Sequence, residues 1–463
     1  FFFSSRRRHT RLQGDWSSDV ALPIWVRVTP PGATEAVVWP PDAAIQGNPN
    51  APRMGLLRVS EAPAARAIPD SAAVAAMGGI PGHPDTWATL LTHLWNDLPE
   101  ADPERQALAR IFAHSVFTTE LNVAQRGSLL TLWLFAGPAS RRRLPDLLDR
   151  RAWTSQTDTV PIVAMLDRTR ARTLVENLLA LTHLVPHRDI AGVLAPEQLV
   201  DDVLTELLDP NGRVNRGSTY TGTVAAVQAM LIQVNPSEYV RLLHGLLGQA
   251  GVVNLANGEN VEVPAGVFQI ARYGAAQTDP LYVRTYSELA FQTALLAYGV
   301  GPTFPHADPT AAPDAANGVA TVFRATLRTG LTLEQQRKVL AGVFNVAFTG
   351  VLEEPSAGLR DRFLAALRDS RTPLLLILNW PDSAATPTTG LAAVLALRLD
   401  TARIFYKNPQ YPGSNPPTEV RTGATADRPP RRFEDPASTT ESIGDADLAT
   451  WIRGYLVPNA PLT

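Results

Sequence analysis

A turn rich in glycine and hydroxyl side chains, residues 215–222 (NRGSTYTG), runs directly into an apolar stretch, residues 223–234 (TVAAVQAMLIQV). A helix that begins there points unsatisfied backbone N–H groups, and the positive end of its dipole, at the turn. Such a start lowers the pKa of a nucleophile and favours negative charge. Ser218, Thr219 and Thr221 are the hydroxyls on hand, yet no histidine or carboxylate stands beside them in sequence to serve as a base. The plain structural alternative is that Thr221 or Thr223 caps the helix and Gly222 only eases the turn.

Other reactive groups are sparse. The chain has no cysteine, which removes thiol catalysis, disulfides and zinc–thiolate sites together. His183 and His187 are four apart with Asp189 close by, but Pro186 between them stops the helix that a two-histidine metal motif requires. No metal and no cofactor is therefore expected. There is no G-x-S-x-G elbow and no phosphate-binding loop, and residues 78–82 (GGIPG) lead into no phosphate-binding helix pattern. The net charge is only −3 and no basic stripe runs along the chain, so nucleic acid is not an expected partner. Arg141, Arg142, Arg143, Arg150 and Arg151 are interrupted by Asp146 and Asp149 and read as a solvated helix face. The longest apolar runs, residues 129–136 and 391–399, fall well short of the ~20 residues that span a bilayer. The default expectation is a soluble, cytoplasmic protein.

Residues 1–24 (FFFSSRRRHTRLQGDWSSDVALPI) resemble translated sequencing adapter, which points to a metagenomic, bacterial source with natural sequence from Trp25 onward. Residues 25–84 are rich in Pro, Gly and Ala, with short strands at VRV and AVVW. From Asp85, an expected N-cap, apolar residues recur at helical spacing: Trp87, Leu90, Leu91, Leu94, Trp95 and Leu98. Helices continue to residue 196, including short ones at 141–152, 159–171 and 172–185. Residues 197–463 form the second domain, with helices at 197–208, 223–234, 239–247, 282–298, 320–327, 333–348 and 358–367. Asn257-Gly258 between alternating arms predicts a type I′ hairpin. Residues 306–316 and 413–438 read as loops. Strands are expected at 373–380 (PLLLILNW), 391–400 (LAAVLALRLD) and 402–409 (ARIFYKNP). Helices first and an antiparallel sheet last make the class α+β.

The order of these parts resembles papain-like cysteine peptidases, the bacteriocin-processing branch in particular. The residues that carry the resemblance are NRGSTYTGTVAAVQAML, then LLLILNW, GLAAVLALRLD and RIFYKNPQYPG, across roughly residues 197–458. It implies a papain-like domain with a helical lobe and a C-terminal sheet. In that family a glutamine donor precedes a cysteine at the helix start, a histidine opens the second strand, and Asn or Asp closes the third. The corresponding positions here are Arg216, Gly222, Leu391 and Asn408, and only Asn408 matches. Glycine has no side chain and leucine cannot exchange a proton, so thiol–imidazole catalysis is chemically closed.

The resemblance thus implies a pseudoenzyme that binds a peptide or protein, or scaffolds a partner. Two alternatives stay open: an α+β interaction protein without peptidase ancestry, and an enzyme with an unrecognised site. Convergence of Gly222, Leu391 and Asn408 on one cleft is the expectation that separates the first from the second.

Overall fold

Three apolar runs near the C-terminal end build the centre of a seven-stranded sheet. A computed structural model describes residues 26–28, 37–39, 67–77, 87–153, 159–214, 221–264, 266–268, 284–301, 331–370, 372–379, 391–400, 403–409, 432–435 and 438–462. The chain is α+β, with helices first and the sheet last. No helix among the described residues is long and apolar enough to cross a membrane.

Strands are numbered β1 (Val26–Val28), β2 (Val37–Trp39), β3 (Arg151–Trp153), β4 (Thr159–Pro161), β5 (Val252–Asn254), β6 (Asn260–Glu262) and β7 (Phe348–Leu352). They continue with β8 (Leu374–Asn379), β9 (Leu391–Asp400), β10 (Arg403–Lys407), β11 (Arg432–Asp435), β12 (Ser438–Gly444) and β13 (Ile452–Pro458). The first six form three two-stranded ribbons, β1-β2, β3-β4 and β5-β6. The rest form one antiparallel sheet in the order β11-β12-β10-β9-β8-β13-β7.

The described chain divides into two compact units. The first holds residues up to Pro145 together with Leu178–His183; the second holds Asp146–Asn177 and everything from Leu184. Residues 146–177 and 184–196, grouped with the helical region by their sequence, therefore lie in the second unit.

The first unit is helical: α1 (Ser71–Ala75), α2 (Trp87–Asp97), α3 (Pro103–Ala113), α4 (Val123–Phe135) and most of α5 (Pro138–Leu148). Side chains that cap the helix starts set their boundaries. Asp70 accepts from Ala73 N, Asp102 from Glu104 N and Arg105 N, and Asn122 with Gln125 makes a reciprocal capping box. Gly127 lets α4 touch α1, since a Cβ there would sit 2.9 Å from the Ala76 backbone. Edge-on ring pairs Trp87–Phe135 and Trp95–Phe112 fill the interior. Arg141 corrects the expectation of a solvated basic face. Its guanidinium caps the end of α4 at Trp133 O (3.0 Å) and Leu134 O (2.8 Å), pairs with Glu104 at 2.7 Å and lies over the Trp133 ring.

In the second unit the described helices after the unit-spanning α6 (Leu174–Thr182) are α7 (Pro196–Leu208), α8 (Pro210–Arg213), α9 (Gly222–Val234) and α10 (Pro236–Leu247). They continue with α11 (Tyr286–Val300), α12 (Leu333–Phe344), α13 (Ala357–Asp369) and α14 (Asp445–Trp451). Helices cover both faces of the central strands, so β8 is a continuous apolar run and does not alternate. Leu374, Leu376 and Leu378 join Val394, Ile404, Tyr406 and Ile443 in one cluster with Leu359 and Phe363 of α13. Leu375, Ile377 and Leu395, which alternate with them, are also buried, on the face that packs against α9. Each such leucine contributes roughly 1.5–3 kcal/mol by leaving water.

Several local expectations are corrected. Residues 159–171 are strand β4, a single 3-10 turn at Ile162–Ala164 and a loop. The helix expected over 333–348 stops at Phe344, where Asn345 turns left-handed at φ +50, and Phe348 opens β7. The hairpin at Asn257-Gly258 exists, but only Gly258 has positive φ, and Gly258 N bonds Leu255 O while Leu255 N bonds Glu259 O. That is a three-residue loop, a turn followed by one left-handed residue, and not a type I′ turn. Strand β11 lies within the expected 413–438 loop. The expected helix at 320–327, the loop at 306–316 and the Asp85 cap lie outside the described residues.

Candidate functional site

Helix α9 is apolar nearly all round, and every residue from Val224 to Ile232 is buried, as is Val234. Such a helix belongs inside a layer, and α9 lies against β9 on one side and α10 and α11 on another. Gly222 is its first residue. Thr221 occupies the N-cap position but makes no side-chain cap bond; its hydroxyl donates to Gln292 Oε1 at 2.7 Å. The expected threonine cap at this position is therefore replaced by a contact to α11.

That contact starts a directional chain of buried hydrogen bonds. Gln292 Nε2 donates to Gln228 Oε1 (2.9 Å), and Gln228 Nε2 donates to the Tyr239 hydroxyl (2.8 Å). Tyr239 in turn donates to Glu206 Oε2. Ser287 (2.5 Å) and Thr285 (2.8 Å) donate to the other oxygen, Glu206 Oε1. Burial pushes the Glu206 carboxyl above its ordinary value, against the pull of the three hydroxyl donors. Burial, and then the Glu206 charge, push the Tyr239 hydroxyl well above 10. A phenol so disfavoured as phenolate is a donor, not a base. Arg284 donates to Gln292 Oε1 at 3.3 Å, and burial draws its pKa down to about 10 against the charge of Glu288.

A second buried group sits at the end of β10. Lys407 is fully buried, and burial lowers its pKa to about 8 against the opposing charges of Asp209, Glu441 and Glu288. Tyr406 belongs to the cluster under α13, so strand alternation turns Lys407 to the α9 face. Its register partner on β9 is Leu395. Glu288 and Gln292 lie one turn apart on α11, so that helix serves both the start of α9 and the end of β10.

The four residues singled out by sequence are placed as follows. Arg216 lies outside the described residues. Gly222 opens α9. Leu391 opens β9 and pairs with Asn379. Asn408 follows β10, is buried, and donates from Nδ2 to Glu441 Oε1 at 3.2 Å. Glu441 pairs with Tyr406 across the β10-β12 ladder, so it shares the α13 face. Leu391 and Asn408 thus occupy the same end of neighbouring strands. Counted from the Lys407–Leu395 pair, Asn408 stops about three residues short of Leu391, roughly 10 Å along the strand. The last β10 side chain on the face of α9 is Lys407.

Sequence reading missed Glu206, Gln228, Tyr239, Gln292, Arg284 and Lys407. A usable signal existed for the two glutamines: each stands amid apolar residues on its helix, Gln228 between Val227 and Ala229 and Gln292 beside Phe291, and a buried amide needs partners. His187 Nδ1 accepts from Asp189 N at 3.3 Å, and His183 packs edge-on to Phe135 within the first unit. Among the described residues no group of three His, Cys, Asp or Glu is placed to hold a metal. No protein-family model matches the chain, and neither a curated protein nor a solved structure does.

Proposed function

We propose that the second unit is a non-catalytic binding protein, a pseudoenzyme of papain-like descent whose partner is a peptide or another protein. The observation that carries this is the start of α9. The helix that would present a nucleophile begins with Gly222 and lies against β9, whose first residue is Leu391, in a chain without cysteine. A fold kept without its nucleophile and base retains surface and shape, and those serve binding.

One specific observation favours a second reading, an α+β interaction protein without peptidase ancestry. Asn408 bonds Glu441 on the α13 face, while α9 lies on the other. One experiment separates the two. The triple variant Arg216→Gln, Gly222→Cys, Leu391→His is treated with a thiol-directed covalent probe beside Gly222→Cys alone. Papain-like descent requires labelling of the triple variant at least about tenfold faster than the single one, since a paired imidazole raises thiolate content. Equal rates in folded proteins leave only the second reading.

A further inference from the structure

A pocket of about 170 Å³ in the second unit is lined by Thr169, Arg170, Arg241, His244 and the strand Val252–Asn254. It shares no residue with the hydrogen-bond chain beside α9. Among the described residues it holds no carboxylate; two of its polar side chains, Arg170 and Arg241, only donate, and Thr169 and His244 can also donate. Arg241 is buried and rigidly aimed: Nε and Nη2 bind the two oxygens of Glu238 at 2.8 and 2.7 Å, and Nη2 also reaches Asn254 O. Its Nη1 has no hydrogen-bond partner among the described residues and is left for the pocket. Arg170 and Arg172 are exposed, with no ion pair among the described residues.

The loop that carries them is built with care. Asp167 accepts from Thr169 N and Arg170 N, and its other oxygen accepts from Asn177 Nδ2 at 2.8 Å. Ser237 donates to Arg172 O at 2.9 Å, and Asn177 Nδ2 reaches the Ser237 carbonyl. Between the two arginines Ala171 stands at φ +52, a left-handed conformation that a residue with a Cβ adopts only under strain. Backbone strain of this kind persists only where the surroundings enforce it. Here the enforcement holds like charges beside one another. Burial, and then the charges of Arg170 and Arg172, hold the His244 imidazole below its ordinary range, so at neutral pH it adds a neutral ring N–H.

We propose that this pocket binds the phosphate group of a small ligand, held by the guanidiniums of Arg170 and Arg241, the Thr169 hydroxyl and His244. Donors from four side chains on two separate elements suit a tetrahedral oxyanion better than a planar carboxylate, which a single arginine can satisfy edge-on. The pocket has room for a phosphate and a few further atoms.

Titration calorimetry on the full chain tests this with inorganic phosphate, O-phosphoserine and acetate. Inorganic phosphate is expected to bind with Kd of about 1 mM or tighter. Arg170→Gln, at an exposed site that leaves folding intact, is expected to weaken binding at least about tenfold, and Thr169→Val about threefold. Arg188→Gln, outside the pocket and 90% exposed, should leave binding unchanged. Tighter binding of phosphoserine than of inorganic phosphate identifies a phosphate ester as the occupant, and the reverse order identifies the free anion. The proposal is overturned if the native chain fails to bind phosphate, if Arg170→Gln binds it equally well, or if acetate binds as tightly.

Discussion

Glu206 and Lys407 are both buried charges in the same unit, held in opposite ways. Glu206 is surrounded by dipoles: Tyr239, Ser287 and Thr285 aim three hydroxyls at two oxygens. Lys407 is surrounded by charges, those of Asp209, Glu441 and Glu288. Dipolar partners are neutral when the charge is absent, so they leave no net field behind, but each keeps a hydrogen that must go somewhere. Charged partners leave a field. The two designs should therefore differ in what mutation and pH do to them.

Removing the acceptor is expected to do the most damage. Glu206→Leu strands three hydroxyl donors, each costing roughly 1–3 kcal/mol when left unpaired, and should lower unfolding free energy by about 3–5 kcal/mol in guanidinium titration. A loss under 1 kcal/mol would mean that the hydroxyls find other acceptors and the dipolar design is not what holds α7, α10 and α11 together.

Lys407→Met should cost less at pH 7, about 1–3 kcal/mol, because the depressed pKa means the site already holds the ammonium less well than water does. The sharper readout is the pH slope. Between pH 8 and about 10 the unfolded chain keeps the proton that folded Lys407 has released, so stability rises with pH in that window. Above 10 the raised Tyr239 pKa acts the other way, since the unfolded tyrosine ionises first. Lys407→Met should flatten the rise between pH 8 and 10. Glu206 contributes a slope of opposite sign at lower pH: upward from 4.5 the folded state keeps a proton the unfolded chain has lost, and stability falls as pH rises through the folded value. A pH–stability curve of the native chain without these two slopes would collapse the contrast.

Thr221→Val is the mildest case. It removes one donor from Gln292 Oε1, which Arg284 still reaches, so a loss of about 0.5–1.5 kcal/mol is expected by thermal melting.

These partnerships explain what the sequence could and could not say. Runs such as LLLILN and the LAAVLAL part of β9 announce buried strands because burial on both faces leaves no polar position, and β8 and β9 lie on those runs. Local caps were less legible: Thr221 turns to Gln292 instead of capping α9, while Asp102 and Asn122, which cap α3 and α4, were not singled out. The end of α12 turned on one asparagine in left-handed conformation, a choice that apolar spacing does not record. Long-range partners left the weakest trace. Gln228 meets Tyr239 and Gln292, and Glu206 meets side chains about 80 residues away, pairings that no periodicity encodes. The same gap separated Asn408 from its expected neighbours: a motif order carries strand sequence, but the face on which a residue emerges depends on register.

The strand order has a consequence for how the protein is made. β13 is the latest of the described strands in the chain, yet it sits between β8 and β7. During synthesis β7 emerges first and waits about 100 residues for the partner that joins it to the sheet. Until Ile452–Pro458 leaves the ribosome, β7 and β8 both carry an unfilled edge, and a growing chain in that state is exposed to pairing with its neighbours. Ribosomes that stall before Ile452 would yield chains whose sheet stops at β8, and such chains are natural clients for chaperones that shield open strands.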